Sequence, residues 1–263
     1  MSPIKLVVTD LDNTLLSPDR TISDRAVATM DAIRKKGVHF TFITGRPPYA
    51  VERFAQRMKL TDPIVCCNGA VIVQGNTVLL RRSFPLRPLR SLMEQGAALG
   101  LTVLLYAGGT EYALSDTDWV RSRRAAGKVF PLYSFSFSDP GSAEKVNLMA
   151  DGQDTAFLEL LPHVKALMDR YSISLYSSSG CEIVASGVNK GSGLLELCTI
   201  LGLSPSETLA VGDDANDHEL LRAAGIGAAV ANAVDSVKRC ADYCCIASYT
   251  DGVVEAVERF CGR

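Results

Sequence analysis

The chain has 263 residues, of which 47% are hydrophobic and 21% are charged, and its formal net charge is −2 at pH 7. This balance excludes a mainly disordered chain, and it gives no electrostatic reason to bind nucleic acid or an anionic membrane surface. No apolar run approaches the roughly 20 residues of a membrane span, and the run before Asp10 is too short for a secretory signal. We therefore expect a cytoplasmic protein.

The eight cysteines do not form a metal-binding or disulfide pattern. Cys66 and Cys67 fall in a strand-like apolar run, Cys198 falls in a helical pattern, and no CxxC motif occurs. Adjacent residues of a strand point to opposite faces, so two neighbouring cysteines are not placed to coordinate one metal ion together. We expect reduced cysteines that act as small hydrophobic side chains.

The first part of the chain alternates strands and helices. Continuous apolar runs predict buried strands, and Ser23 is a suitable N-cap for the first helix, which should end near Gly37. The predicted order is strand 5–10, a helix after Ser23, strand 38–44, helix 47–59 and strand 63–69. This rhythm predicts a parallel sheet with right-handed crossovers.

Polar residues stand where the first three predicted strands end, namely Asp10, Thr44 and Asn68. In open parallel sheets, ligands bind beyond the carboxyl ends of the strands. The three positions are therefore a candidate site.

The rhythm changes after a hairpin predicted to turn at residues 74–76. The following segment predicts an α+β insertion with mostly antiparallel strands and its own core. Its predicted helices are 85–99, 117–126 and 153–171, and its predicted strands are 101–107, 111–115, 129–137, 144–150, 173–179 and 181–186.

The strand–helix alternation then resumes. The predicted elements are helix 190–202, strand 208–213, helix 217–224, strands 226–230 and 243–247, and a last helix from Asp251. We predict an α/β fold in which a Rossmann-like parallel-sheet core, residues 1–83 and 187–263, carries an inserted α+β cap domain, residues 84–186.

Asp10 and Asp12 leave the first strand two residues apart, so both can project into one crevice. One carboxylate can attack phosphorus while the other exchanges a proton with the leaving oxygen. Holding these charges together requires a cation, and Mg²⁺ suits oxygen ligands and phosphate. Alone, such a pair is more often a simple capped turn.

Three further segments support the same chemistry. Thr44, Gly45 and Arg46 offer a hydroxyl and backbone N–H groups to phosphoryl oxygens. Lys190, which begins a helix, can neutralise a phosphoryl group and steady the attacking carboxylate. The acidic segment 212–217 follows another buried strand and can supply carboxylates for a cation.

Together these motifs resemble the haloacid-dehalogenase-like superfamily, specifically its Cof-type hydrolases. The resemblance spans nearly the whole chain and rests on order and spacing rather than on any one motif. The motifs are DLDNT at 10–14, TGR at 44–46, NGA at 68–70, VNKG at 188–191 and GDDAND at 212–217.

The resemblance implies a role for each matching residue. Asp10 would be the nucleophile that becomes phosphorylated, and Asp12 the general acid and base. Mg²⁺ would bind the Asp10 carboxylate, the Asp12 carbonyl oxygen and Asp213. Asp217 would support the metal site without binding the ion directly. The residues expected to bind the phosphoryl group or the substrate are Thr44, Gly45, Arg46, Asn68, Lys190 and Asn216.

The second aspartate, Asp12, favours phosphate esters over haloacids, because a dehalogenase needs no acid to protonate an ester oxygen. We therefore expect a phosphatase that acts on a small phosphorylated metabolite. Sugar phosphates are the leading class, and pyridoxal phosphate and flavin mononucleotide are alternatives. A phosphomutase and a non-enzymatic phospho-receiver are the rival functions. A monomer or a small homo-oligomer is expected.

The resemblance also implies that the insertion is the second-type α/β cap, which follows the third strand. Only a helix-sized segment separates Asp12 from Thr44, so a cap in the first position is excluded. One departure is that residues 137–144 predict a turn where a helix is expected.

Overall fold

The structure is a computed structural model that describes residues 3–150, 154–176 and 179–262. The strands are β1 (Leu6–Thr9), β2 (His39–Phe42), β3 (Ile64–Cys66), β4 (Val71–Gln74), β5 (Thr77–Arg81), β6 (Phe84–Pro85), β7 (Thr102–Ala107), β8 (Thr110–Ala113), β9 (Ser142–Ala143), β10 (Lys145–Met149), β11 (Tyr171–Leu175), β12 (Gly180–Ala185), β13 (Thr208–Gly212), β14 (Ile226–Ala229) and β15 (Tyr243–Cys244). The helices are α1 (Asp24–Lys35), α2 (Pro48–Arg57), α3 (Arg90–Ala98), α4 (Asp118–Ala125), α5 (Asp154–Lys165), α6 (Lys190–Leu201), α7 (His218–Ala223), α8 (Asp235–Cys240) and α9 (Tyr249–Cys261).

The chain divides into two compact units. The core unit comprises Met1–Leu80 and Asn189–Arg263, and the inserted unit comprises Arg81–Val188. The observed borders follow residues 80 and 188, and the predicted borders followed residues 83 and 186, so each differs by only two or three residues. The predicted fold class, a parallel-sheet α/β core interrupted by an α+β insertion, is confirmed.

The core unit is built on a five-stranded sheet in the order β15-β14-β13-β1-β2, with every pairing parallel. All residues of β1 and β13 are buried, as expected for central strands covered on both faces. A parallel bridge between Ile43 and Val65 places β3 beside the end of β2. The sheet therefore aligns the carboxyl ends of β13, β1 and β2 along one edge.

The predicted ends of the first helix are confirmed. The Ser23 hydroxyl accepts a hydrogen bond from the Ala26 N–H, and α1 ends with Arg34 and Lys35 in its last turn. The predicted hairpin is also present, because β4 and β5 flank Gly75 and Asn76.

Helix α6 approaches its neighbours through glycines. A Cβ on Gly191 would lie 2.4 Å from the Glu219 carbonyl oxygen, and one on Gly193 would lie 2.7 Å from Val65 Cγ1. Real Cβ atoms do not come so close, so only glycine allows this packing. The glycines place the first residue of α6, Lys190, deep inside the core unit.

The inserted unit contains a five-stranded antiparallel sheet in the order β11-β12-β10-β7-β8 and a short pair formed by β6 and β9. Helices α3 and α5 cover one face of the large sheet. The buried side chains of that core include Leu92, Met93, Val103, Leu105, Val146, Leu148, Phe157, Leu160 and Ile183.

The prediction of a helix over 85–99 is wrong at its start. Phe84 and Pro85 form a strand paired with Ser142 and Ala143, and the regular helix begins only at Arg90. Pro85 and Pro88 explain the delay, because proline removes an N–H donor and disfavours the helical conformation in the preceding residue.

The predicted strand 129–137 is also wrong, since only an isolated bridge joins Leu132 to Ala113. The Asp139 carboxylate accepts hydrogen bonds from the backbone N–H groups of Ser134 and Ser136 instead. Such local bonds compete with a strand ladder. Residues 137–144 contain no helix, as predicted.

Two further boundaries differ from the prediction. Helix α5 ends at Lys165 and β11 begins at Tyr171, so the predicted helix 153–171 is too long; residue 153, like 177 and 178 of the next predicted strand, lies outside the described residues. Strand β15 ends at Cys244 rather than 247. There the Glu255 carboxylate accepts the N–H groups of Ile246 and Ala247, which therefore do not pair with a strand.

All eight cysteines lie within the described residues and are free thiols, as predicted. Burial raises the pKa of the Cys181 thiol to about 12, so this side chain behaves as a hydrophobic group. Within the described ranges, no helix combines the length and hydropathy that a membrane span requires.

Candidate active site

The site begins with two carboxylates at neighbouring strand ends. Asp10 follows β1 and Asp213 follows β13, and these two strands pair in parallel with Val8 opposite Ala210. Both aspartates are buried, with 5% and 6% of their surface exposed. Thr44 is buried beyond the end of β2. The predicted convergence of strand-end residues is therefore present.

Lys190 occupies the centre of this cluster. Its Nζ lies 3.0 Å from Asp10 Oδ1 and 2.7 Å from Asp217 Oδ1, and its side chain is completely buried. Asn189 caps α6 with a side-chain bond to the Ser192 N–H, which fixes the start of the helix. A lysine in the first turn of a helix opposes the helix dipole, so its two carboxylate partners must compensate.

These partners keep Lys190 charged. Burial alone would lower the pKa of Lys190, but the carboxylates of Asp10 and Asp217 outweigh burial and raise it above its usual value. The ammonium group is therefore a permanent positive charge inside the site.

Asp217 holds the following loop with both of its carboxylate oxygens. Oδ1 accepts from Lys190, and Oδ2 accepts from the backbone N–H groups of Asp213 and Asp214 at 3.0 and 3.1 Å. A Cβ on Gly212 would lie 2.6 Å from Asp217 Cγ, so the strand must end in glycine here. Asp217 thus positions Asp213 and Lys190.

The carboxylates of Asp10, Asp213 and Asp217 each offer an oxygen within 4.8 Å of the others. Burial, reinforced by the charge of Asp217, raises the pKa of Asp213 to about 7 despite a hydrogen bond from Thr14. Burial also raises the pKa of Asp10, with Asp217, Asp213 and Asp12 adding to it and Lys190 opposing it.

These raised values indicate a site with too little positive charge for its carboxylates. Oxygen donors of this kind suit a hard divalent cation such as Mg²⁺, whose charge would favour the ionised form of both aspartates. Because both Asp217 oxygens already accept hydrogen bonds, Asp10 and Asp213 are the better direct ligands.

Asp12 forms an ion pair with Arg46. Arg46 Nε donates to Asp12 Oδ2 at 2.6 Å, and Nη2 donates to Oδ1. Burial opposes ionisation of Asp12, but the hydrogen bond and charge of Arg46 prevail and lower its pKa. The Arg46 guanidinium also lies 5.1 Å from the ring centre of Phe54 in α2, which steadies it.

The remaining predicted residues surround the cluster. The Arg46 N–H donates to Thr44 Oγ1 at 3.3 Å, and the Asn68 N–H donates to the Thr44 carbonyl at 3.0 Å. Asn216 Nδ2 donates to Asn68 Oδ1 at 3.3 Å, which joins the loop after β3 to the loop after β13. Gly45 lies between Thr44 and Arg46 in the same loop.

Comparison with known proteins agrees with this geometry. Residues 7–257 match the family model of haloacid dehalogenase-like hydrolases. The chain belongs to this family. The resemblance stated from the sequence motifs is thereby confirmed.

Two curated relatives of this hydrolase are phosphatases. A phosphoglycolate phosphatase of Methanoculleus marisnigri is 30% identical over 98% of this chain and 97% of its own. The 5-amino-6-(5-phospho-D-ribitylamino)uracil phosphatase YcsE of Bacillus subtilis is 26% identical over 98% of this chain and 96% of its own.

Among solved structures, a haloacid dehalogenase-like hydrolase from Bacteroides thetaiotaomicron has a TM-score of 0.81 at 25% identity. The match covers 97% of this chain and 99% of that chain. The predicted enzyme class, a phosphoric monoester hydrolase, agrees with the relatives and with the family.

Two contacts of this hydrolase are not indicated by its sequence motifs. Thr14 donates a hydrogen bond to Asp213, and its place four residues after Asp10 was the available signal. Asn232 donates to the Asn13 carbonyl at 2.7 Å and accepts from the Tyr249 N–H at 2.8 Å. It steadies Asn13, whose φ is +58°, but no motif marks it.

Replacing Lys190 with Met should destabilise the protein by about 3–5 kcal/mol at pH 8 in the presence of a chelator, because two buried carboxylates lose their cation. Burial already raises the pKa of Asp10, and loss of the Lys190 charge would raise it further above its value in the unfolded chain. Such groups cost more stability as pH increases, so the loss should be smaller at pH 5.

Urea denaturation at both pH values measures this effect, with Lys35→Met at an exposed position of α1 as the matched control. A Lys190→Met protein as stable as the Lys35→Met protein at pH 8 would contradict the charge balance described for the site.

Proposed function

We propose that this protein is a Mg²⁺-dependent phosphatase that hydrolyses small phosphate esters through a phosphorylated Asp10. The observation that carries the proposal is the buried Lys190, which holds Asp10 and Asp217 beside Asp213 at the ends of two adjacent strands. A purely structural cluster would not need three carboxylates around one ammonium group, because burying unbalanced charge is costly.

The substrate is a small phosphorylated metabolite in this proposal. The relatives named above act on phosphoglycolate and on a ribityl phosphate, both of which are small esters. Sugar phosphates are the leading class for this chain, with pyridoxal phosphate and flavin mononucleotide as further candidates. The inserted unit would select among them.

The residues around Asp10 would bind the phosphoryl group. Lys190 offers its ammonium group, Thr44 its hydroxyl, and Gly45 its backbone N–H. These donors would stabilise the charge that develops on the phosphoryl oxygens during transfer. Asn68 and Asn216 are joined by a side-chain hydrogen bond and would line another side of this pocket in the core unit.

In the first step, an Asp10 carboxylate oxygen attacks phosphorus, and the bond from phosphorus to the ester oxygen breaks. Asp12 donates a proton to that oxygen, so a neutral alcohol leaves. In the second step, Asp12 takes a proton from water as the water oxygen attacks phosphorus. The bond from phosphorus to the Asp10 oxygen breaks, so inorganic phosphate leaves and the Asp10 carboxylate is regenerated.

The ion pair with Arg46 keeps Asp12 ionised in the resting enzyme, the form required for the second step. For the first step Asp12 must carry a proton, so its contact with Arg46 has to loosen when the ester is bound. Arg46 would therefore control the protonation state of Asp12 in addition to binding phosphate.

Asp10, Asp213 and the carbonyl oxygen of Asp12 would hold Mg²⁺ in this scheme. When bound, the ion would neutralise phosphoryl charge and orient the ester. Asp217 and Thr14 would keep Asp213 in place.

Replacing Asp10 with Asn should reduce kcat by at least about a thousandfold, because an amide cannot form the acyl phosphate. Phosphate release from sugar phosphates measures the loss, and acid quenching should trap labelled enzyme only in the wild type. Asp169→Asn, at an exposed position, is the matched control. Turnover within about tenfold of wild type would refute covalent catalysis by Asp10.

Replacing Asp12 with Asn should slow transfer from an alkyl phosphate by about 10²–10⁴-fold, because the leaving oxygen receives no proton. Transfer from p-nitrophenyl phosphate should fall much less, since nitrophenolate leaves without help. Rapid-quench measurement of the first turnover separates the two steps. Equal losses for both esters would argue against the acid role.

Chelation should abolish activity, and Mg²⁺ should restore it and raise Tm. At a free Mg²⁺ concentration 100 times Kd the stabilisation is about 2.7 kcal/mol. Asp213→Asn should remove most of the Tm shift, whereas Asp214→Asn, its exposed neighbour, should retain it. Full activity in excess chelator, or an unchanged Tm shift in Asp213→Asn, would disprove the metal assignment.

A further inference from the structure

The small sheet of the core unit ends in an exposed strand. Strand β5 is the outer strand of the sheet β3-β4-β5, and among the described residues it pairs with β4 alone. Four of its five residues are exposed, and the remaining one, Leu80, is half-buried. The N–H and C=O groups along its outer edge therefore lie where another strand could bind them.

The sequence of β5 lacks the features that usually protect an edge strand. Residues 77–80 are Thr-Val-Leu-Leu, without charge, proline or glycine. Proteins commonly place lysine, proline or a bulge on such an edge to prevent association. Val78 and Leu79 are instead 44% and 40% exposed, and as neighbours in a strand they point to opposite faces. Both faces of this edge are thus apolar at its centre.

The other edge strands that the structure describes are shorter or covered. Strands β6, β9 and β15 have two residues each, and a bridge to Leu132 covers the outer side of β8. Strand β11 is as long as β5, but its residues are buried or half-buried. Strand β5 is therefore unusual in this protein as a long, exposed and unprotected edge.

A row of apolar side chains crosses the small sheet and ends on β5. Val65 in β3 lies opposite Ile72 in β4, and both are completely buried. The two-residue turn between β4 and β5 sets Leu79 opposite Ile72. The row therefore passes from the buried interior to the exposed Leu79, where one further strand would cover it.

A second row on the other face ends in the same way. Ile64 lies opposite Val73, and both are buried. The same turn sets Val78 opposite Val73, and Val78 is exposed. Cross-strand pairs of this kind stabilise a sheet, so both faces offer apolar contacts to an added strand.

A second copy of β5 can continue both rows. Consider antiparallel pairing about a two-fold axis at Leu79, the middle residue of the strand. Leu79 of each copy then lies opposite Leu79 of the other, Val78 lies opposite Leu80, and Thr77 lies opposite Arg81. Each exposed apolar side chain thereby meets an apolar side chain on its own face.

Charge selects the direction of this pairing. Arg81 ends the strand and Arg82 follows it. In a parallel pair, each arginine would lie beside its equivalent in the second copy, and the like charges would repel. In the antiparallel pair, the two Arg81 residues are four residue steps apart, about 14 Å along the strand, and each lies beside a neutral threonine. The edge is therefore self-complementary in the direction that a closed two-fold dimer requires.

We propose that β5 pairs with β5 of a second copy of this chain, so that two three-stranded sheets join into one continuous sheet across a two-fold axis. Backbone hydrogen bonds along the edge hold the two copies together, and Val78, Leu79 and Leu80 supply the apolar contacts. Two five-residue strands form a small interface, so the dissociation constant of the dimer should be about 1–100 µM. This inference does not rest on the proposed phosphatase function.

Sedimentation velocity over about 1–300 µM protein measures the association. The mass of the wild type should rise towards twice the 28.2 kDa of one chain as the concentration increases. Leu79→Lys should weaken association at least about a hundredfold, because two like charges face each other at the axis and two apolar side chains are lost. Leu158→Lys, at a similarly exposed position of α5, is the matched control and should dimerise as the wild type does.

Leu79→Glu provides a second test, which depends on the two-fold register. Alone, this variant should be as monomeric as Leu79→Lys. An equal mixture of the two variants should associate at least about tenfold more tightly than either variant alone, because opposite charges then meet at the axis. Mixing would not rescue a dimer that was lost through unfolding, and circular dichroism should show both variants folded.

Three results would overturn the inference. A wild type that stays monomeric at about 300 µM would leave this edge to a strand of a different protein or to none. A dimer that Leu79→Lys does not weaken would be formed by another surface. A mixture of Leu79→Lys and Leu79→Glu that stays monomeric would exclude the pairing of Leu79 with itself.

Discussion

The position of one buried ammonium group determines how the candidate active site can be built. Lys190 lies between Asp10 and Asp217, and without it three carboxylates could not share so small a volume. To reach this place, the lysine must begin a helix, where the dipole opposes it, and the helix must pack closely enough to bury it. The glycines at 191 and 193 permit that packing, so the burial of one charged side chain constrains the composition of α6.

The same carboxylates also organise the loops that carry them. Asp217 uses one oxygen for Lys190 and the other for two backbone N–H groups, so the loop after β13 is folded around a charged group rather than an apolar one. Asp213 receives the Thr14 hydroxyl from the loop after β1. Neighbouring loops are thereby joined through the site, and a substitution there would alter stability and chemistry together.

Most of the core unit could be predicted from the sequence because its signals are local. Buried strands such as β1 and β13 appear as continuous apolar runs, and Ser23 marks a helix start. Strand-end aspartates follow from the same pattern. The elements of the inserted unit are harder to predict from sequence. The prolines at 85 and 88 and the turn at Asp139 replace a regular helix and a regular strand with local hydrogen bonds. Hydrophobic periodicity does not reveal where local side-chain hydrogen bonds replace a helix or strand. Tertiary packing decides between the local bonds and the regular element.

The partners of charged side chains are the part of the site that sequence patterns do not determine. A guanidinium fork matches a carboxylate as well as a phosphate, so a motif can place Arg46 near the site without indicating that it binds Asp12. Likewise, Asn147 and Lys145 occupy alternate positions of an ordinary strand, and only the register of β10 against β12 brings them beside Glu182. Within the core unit, the residues that would bind phosphate are in recognisable motifs because the phosphoryl group imposes one geometry. Groups that distinguish one alcohol from another need no common spacing, so their discovery requires the fold.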